Sequence, residues 1–232
     1  MSSAGLEITC ERAGSRGIAA LPPSRSGLNV AAVPRLLANE RTRTIVLELA
    51  DGSRRPSELE RLQGVVRSTL FARLGELTAL GIVTSSRSAE FPLRVEYRLS
   101  EIGRRLLANE LLIERQERRK LARTGPGVDA ALGNLLRLLA PASHPATDRR
   151  GRCLLVEHEP SGQTRTVRLF VEDRSIAVTE LVSSVEPDVR CSAASETWEE
   201  ALLAGGTHGI QMAGDLVLGS AVVVAFGVAL NA

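Results

Sequence analysis

Along residues 41–107 the hydrophobic period changes twice, and few folds accommodate that order. At first the apolar residues repeat at helical spacing. Ile45, Val46 and Leu49 mark one helix over 42–50, a second is set off by Ser57, and Leu70, Leu74 and Leu77 mark a third over 66–80 with Phe71 beside them. The period then drops to two. Val95, Tyr97 and Leu99 alternate with Arg94, Glu96 and Arg98, the mark of a half-buried strand, and Ile82-Val83-Thr84 supplies its partner. Helical spacing resumes after Ser100, with Ile102, Leu106 and Ile113 on one stripe, Leu107 and Leu111 beside it and Asn109 interrupting, to about Lys120.

The punctuation agrees with this division. Asp51-Gly52 stops the first helix, and Arg54-Arg55-Pro56 is an extended link. Ser57-Glu58-Leu59-Glu60 reads as a capping box, with the Ser57 hydroxyl accepting from the Glu60 amide. Gly64 permits a tight turn, Gly81 closes the third helix as its C′ residue, and Ser85 to Leu93 is the loop of the hairpin. Upstream, residues 28–38 suit a short helix bent at Pro34, and residues 1–27 read as a flexible arm or a misassigned start. Thr124-Gly125-Pro126-Gly127 is the clearest boundary, giving one domain over 28–123 and another over 124–232.

Charge divides at the same place. Residues 41–123 carry 17 basic and 11 acidic side chains, a net of +6, whereas residues 124–232 carry 8 and 13, a net of −5. The first part therefore suits a phosphate-bearing partner and the second does not. Lys120 is the only lysine, which fits bidentate arginine contacts but also a GC-rich genome. Cys10, Cys153 and Cys191 lack metal spacing, and no secretory signal pattern opens the chain, so a reduced cytoplasm is the expected compartment. The apolar run Leu216 to Leu230 is too short to span a bilayer comfortably and reads as a buried element.

The order helix, helix, helix, hairpin, helix is that of a winged helix-turn-helix, and its spacing resembles the HxlR branch of the MarR-like bacterial regulators. The resemblance implies a homodimeric, DNA-binding transcription regulator. Helix 66–80 would read a half-site of an inverted repeat in double-stranded DNA, and wing 85–93 would lie beside it. On a helical wheel Ser68, Thr69, Ala72 and Glu76 oppose the core leucines, with Arg73 at the edge, so little bulk keeps this face from a major-groove floor. Arg73 is the candidate base or phosphate contact, and Ser68 and Thr69 lie where helix N-terminal amides meet phosphate. Arg67 either touches phosphate or pairs with Glu60 or Glu76. Arg87 and Arg94 belong to the wing, and Arg54 and Arg55 match the basic position that the family places before its first helix-turn-helix helix. The helices 28–38 and 101–121 are expected to hold the dimer.

Beyond the boundary a helix over 128–140 precedes strand-like runs at 152–159, 165–172, 175–181 and 189–193, a helix from Ser195 to Gly205-Gly206, a strand over 209–213, and a closing apolar helix or strand. This order resembles the sterol-carrier-protein fold, with Ser195, Thr197, Trp198, Gly205, Gly206, Gly214 and Asp215 as the matching residues. The expected class is thus α+β, a winged helix-turn-helix followed by a sterol-carrier-like domain. That resemblance implies a hydrophobic small-molecule effector in an apolar pocket, for which Leu135, Leu139, Leu169, Met212 and Phe226 are the candidate lining. Trp198 fits a core anchor better than a ligand contact. No catalytic, metal or cofactor constellation emerges: His144, His158 and His208 are far apart, and Glu157 and Glu159 lie on the opposite strand face from His158. The alternative function is a lipid-like ligand carrier whose winged helix contacts proteins.

Overall fold

The computed structural model describes residues 33–61, 66–87, 94–120, 131–179 and 185–232. The expected arm 1–27, Gly64, the wing tip 88–93 and the boundary 124–127 lie outside these residues, as does Cys10.

The N-terminal part contains α1 (Val33–Leu37), α2 (Glu40–Ala50), α3 (Pro56–Leu59) and α4 (Arg67–Ala79), then the antiparallel hairpin β1 (Val83–Arg87) and β2 (Val95–Leu99), then α5 (Glu101–Lys120). Asn39 caps α2, its Oδ1 accepting from the Thr42 amide at 3.2 Å. Ile45 and Leu49 of α2 meet Leu59 of α3 and Leu70, Leu74 and Leu77 of α4 in one buried cluster. The leucine spacing of i, i+4, i+7 thus buries one face of α4, as its periodicity requires.

Two local expectations are corrected. The cap of α3 is not Ser57. Pro56 has no amide hydrogen and a fixed φ, so it takes the first helical position and moves the N-cap to Arg55, whose amide donates to the Glu58 carboxylate at 2.7 Å. Phe71 does not join the core: it is 40% exposed, and the Arg67 guanidinium lies 5.8 Å from its ring centroid.

The end of α4 follows the expected glycine stop. Gly81 has φ 71°, and the Ile82 amide reaches back to the Leu77 carbonyl at 3.0 Å. The Ser100 hydroxyl donates to the Gly81 carbonyl at 2.6 Å and accepts from the Gly103 amide at 2.9 Å, so one side chain joins the end of α4 to the start of α5. Gly103 lies so close to the turn between α4 and β1 that a Cβ there would sit 2.2 Å from the Ile82 carbonyl oxygen.

The buried face of α5 is Gly103, Leu107, Ala108, Leu111 and Leu112, while Ile102 and Ile113 are 46% and 49% exposed. The stripe therefore sits one step round the helix from its sequence reading. It also has a partner within the chain, because α5 packs on α1, α6 and α8.

The C-terminal part comprises α6 (Leu132–Leu139), a 3-10 turn (Ala140–Ala142), β3 (Gly151–His158), β4 (Thr164–Glu172), β5 (Ser175–Thr179), β6 (Val189–Ala194), α7 (Ser195–Ala204), β7 (Gln211–Gly214) and α8 (Leu216–Asn231). The sheet order is β5-β4-β3-β6-β7, with β3 and β6 parallel and the other pairs antiparallel. Cys153, Leu155, Leu169, Val171, Val189 and Cys191 share one sheet face and are buried in the same cluster as α6, α7 and α8. Trp198 anchors α7, its indole donating to the Val156 carbonyl at 3.0 Å. Among the described residues no helix is long and apolar enough to cross a membrane.

Asp215 caps α8 by accepting from the Leu218 amide at 3.1 Å, and Arg149 adds a contact at 2.6 Å. The Leu218 amide, then Arg149, holds this carboxyl below its ordinary value of 3.8. A depressed carboxylate gives stability that is complete above the ordinary value and is lost as pH falls through the folded one. Asp215→Asn keeps an acceptor but no charge. Parent and variant should therefore differ in urea midpoint above pH 3.8 and converge below it. A constant gap across the titration would show that the charge contributes nothing.

Candidate nucleic-acid interface

The outward face of α4 is built from short side chains. Ser68, Ala72, Gly75 and Ala79 are exposed there, together with Arg67, Phe71 and Glu76, while Thr69 and Arg73 are half-buried. The N-cap is Val66, which offers no side-chain acceptor, so the first-turn amides beside Ser68 carry no side-chain cap. Such amides suit an anionic oxygen.

The expected arginines lie in three places. Arg67 and Arg73 are on α4. Arg54 and Arg55 stand beside the middle of β2, where the Arg54 backbone pairs with Tyr97 through two hydrogen bonds of 2.9 and 2.8 Å. That bridge adds a short third edge to the hairpin and fixes the link before α3. Arg87 ends β1 and Arg94 precedes β2, both exposed at the two sides of the wing. The hairpin stem also carries Arg98, whose Nε lies 3.3 Å from the Thr84 hydroxyl.

Four of these arginines have carboxylate neighbours. Arg73 meets Glu76 at 2.6 Å, Arg67 meets Glu60 at 3.3 Å, Arg55 meets Glu96 at 3.5 Å, and Arg54 meets Glu48 at 4.0 Å. Of the two carboxylates expected beside Arg67, Glu60 is the one that it meets in the DNA-free chain. These pairs are solvated and weak, so a phosphate or base edge can take the guanidinium at small cost. The wheel placed Arg73 at the edge of the reading face, and the structure keeps it there, folded toward Glu76. It missed Phe71, because an aromatic next to a core leucine reads as core. The Arg67 stack supplies the reason it is outside.

The second group of charges lies where α5 meets the C-terminal part. Arg115 donates to Glu157 of β3 and approaches Glu199 of α7 at 3.4 Å. Arg119 lies 3.3 Å from Glu199 and 3.6 Å from Glu196. The Glu157 and Glu199 side chains are 1% and 4% exposed. Burial pushes the Glu199 carboxyl up, against the pull of the two guanidiniums. The sequence assigns the Arg-rich end of α5 no partner. The missed signal is parity: Glu157 shares the inward face of β3 with Cys153 and Leu155.

The candidate effector residues are distributed through the C-terminal core. Leu135, Leu139, Leu169 and Phe226 are each 1% exposed in the shared cluster, and Met212 packs against it. Leu169 also borders a groove of about 270 Å³ that includes Leu154 and Phe170. Burial pushes the Cys153 and Cys191 thiols up to about 12 and about 11, so they are protonated at neutral pH.

Residues 36–117 match the HxlR-like helix-turn-helix family. Three solved structures are similar to about two fifths of the chain. A protein described as the HTH-type transcriptional regulator ytcD is 29% identical over 41% of this chain and 98% of its own, with a TM-score of 0.34. A protein described as a MarR-family transcriptional regulator from Enterococcus faecalis V583 is 27% identical over 43% and 97%, with a TM-score of 0.34. The redox regulator HypR in its reduced form is 26% identical over 40% and 95%, also at 0.34. No curated protein matches the chain. The HxlR-like helix-turn-helix match thus runs from within α1 to within α5, and residues 118–232 lie outside it.

Proposed function

We propose that this protein is a transcription regulator that binds double-stranded DNA as a homodimer. Helix α4 reads a half-site, and Arg54, Arg55, Arg87 and Arg94 hold the backbone on either side. The observation that carries the reading is the exposed run of short side chains on α4, next to an uncapped first turn and a basic hairpin. Ser68 and Thr69 supply first-turn donors to phosphate, and Arg67 and Arg73 reach the groove from the same helix. The net +6 of residues 41–123 supplies the sequence-independent attraction.

The C-terminal domain, sterol-carrier-like in its element order, acts in this reading as the effector module. A hydrophobic effector seated among Leu135, Leu139, Leu169, Met212 and Phe226 would have to open side chains that now pack on one another, so its binding would be slow and would loosen α8 or α6. The coupling to DNA would run through α5, which touches both parts.

Binding-site selection from random duplexes with the full chain tests the central reading. It should enrich an inverted repeat with half-site centres about 10 base pairs, or one helical turn, apart. Salt-labile binding with no enriched sequence would remove the regulator reading and favour a carrier whose helix-turn-helix contacts proteins.

A further inference from the structure

Helix α8 contains no ionisable residue from Leu216 to Asn231. Its inner side packs through Leu218, Val222, Phe226 and Ala229. The outer side is apolar as well: Val217, Val224 and Val228 are 55%, 38% and 59% exposed, with half-buried Ser220 and Ala221 between them. Leu203 of α7, 46% exposed, extends this strip, since Asn231 in the last turn of α8 donates to its carbonyl at 3.1 Å. A helix that is apolar all round is normally buried all round, so the outer side of α8 calls for a cover.

We infer that this cover is the α8 of a second copy, packed antiparallel about a two-fold axis that passes between residues 222 and 223. The spacing of the strip is what selects that occupant. Reversing the helix about this point places Val217 opposite the second Val228, and Ala221 opposite the second Val224. Each valine then meets either its own kind or the gap left by an alanine, so the strip is complementary to itself. The lack of charge removes like-charge repulsion across the axis and offers nothing to phosphate or to a charged peptide. Antiparallel pairing also opposes the two helix dipoles. The pairing rests on the dimeric reading above and gives it a surface, since the Leu107, Ala108, Leu111 and Leu112 face of α5 is already covered within the chain.

A helix of this length spans about 24 Å, and one helix pair falls short of the ~800 Å² per partner of a standard interface. The free dimer should therefore dissociate in the micromolar range and tighten when both copies hold one DNA site. Sedimentation of the full chain should show this equilibrium, and Val224→Glu should raise the dissociation constant by about a hundred-fold while leaving unchanged the thermal midpoint measured at concentrations where the parent is monomeric. In a Cys10→Ser background, Val217→Cys mixed with Val228→Cys should form a disulfide-linked dimer much faster than either protein alone, because the axis pairs 217 with 228 and not with itself.

If Val224→Glu remains dimeric and Ile113→Glu becomes monomeric, the interface is on α5: the α8 proposal fails and the dimeric reading survives. A parent that is monomeric both free and on DNA ends both. Introduced thiols that do not cross-link yet resist a thiol reagent would show that another part of the chain covers α8, which also overturns the proposal.

Discussion

Arg115→Met should lower the unfolding free energy by about 3–5 kcal/mol. The guanidinium is the shared partner of Glu157 and Glu199, both buried between α5, β3 and α7. Two arginines and two carboxylates are close to neutral as a set. Removing one arginine leaves a carboxylate without compensation in a place water reaches poorly, and burial already disfavours the charged form of Glu199. Urea unfolding at neutral pH measures the loss. Adding Glu157→Gln to Arg115→Met should restore much of it, because the uncompensated charge is then gone. A loss below 1 kcal/mol would mean that the cluster is solvated and that α5 is held only by its leucines.

Gly103→Val should also be strongly destabilising, by about 3 kcal/mol or more. The added Cβ would stand 2.2 Å from the Ile82 carbonyl oxygen, and a backbone atom cannot swing aside as a long side chain can. The start of α5 must then lift from the turn between α4 and β1, straining the Ser100 bridge to Gly81. DNA binding should weaken even where the variant is folded, because the wing and α4 would no longer share one base. Gly75→Ala, on an exposed turn of α4 with nothing within 4 Å of the added carbon, is the control and should be neutral or slightly stabilising. Equal stability of the two variants would contradict the close approach.

Much of the fold is legible in the sequence, because the strands and long helices carry clear periods. The alternation through Val95, Tyr97 and Leu99 locates β2, and Gly81 locates the end of α4. The order of strands and helices from residue 150 to β7 is likewise readable from Gly and Asp punctuation, whereas the closing apolar run, open to helix or strand in the sequence, is helix α8. What is not legible depends on tertiary neighbours. Ile102 and Ile113 look like the centre of a stripe, but the side of α5 that is buried is that of Leu107, Ala108, Leu111 and Leu112, and a wheel cannot show which side the rest of the chain will occupy. The partnership of Arg115 with Glu157 joins residues 42 apart, beyond any local rule. For the site, the arginines and the short side chains of α4 are readable from spacing, while the outward turn of Phe71 and the pairing of Arg73 with Glu76 require the coordinates.

The central claim is that α4 reads bases and the wing holds phosphate. The most direct measurement titrates the parent, Arg73→Ala and Arg87→Ala on the selected operator and on scrambled duplex over a range of salt. Arg73→Ala should cost about 1–3 kcal/mol on the operator and reduce discrimination against the scrambled duplex. Arg87→Ala should weaken both duplexes alike and reduce the slope of log affinity against log salt by about one. An Arg73→Ala protein that binds the operator with the parent's affinity and discrimination would contradict the assignment of α4 as the reading helix.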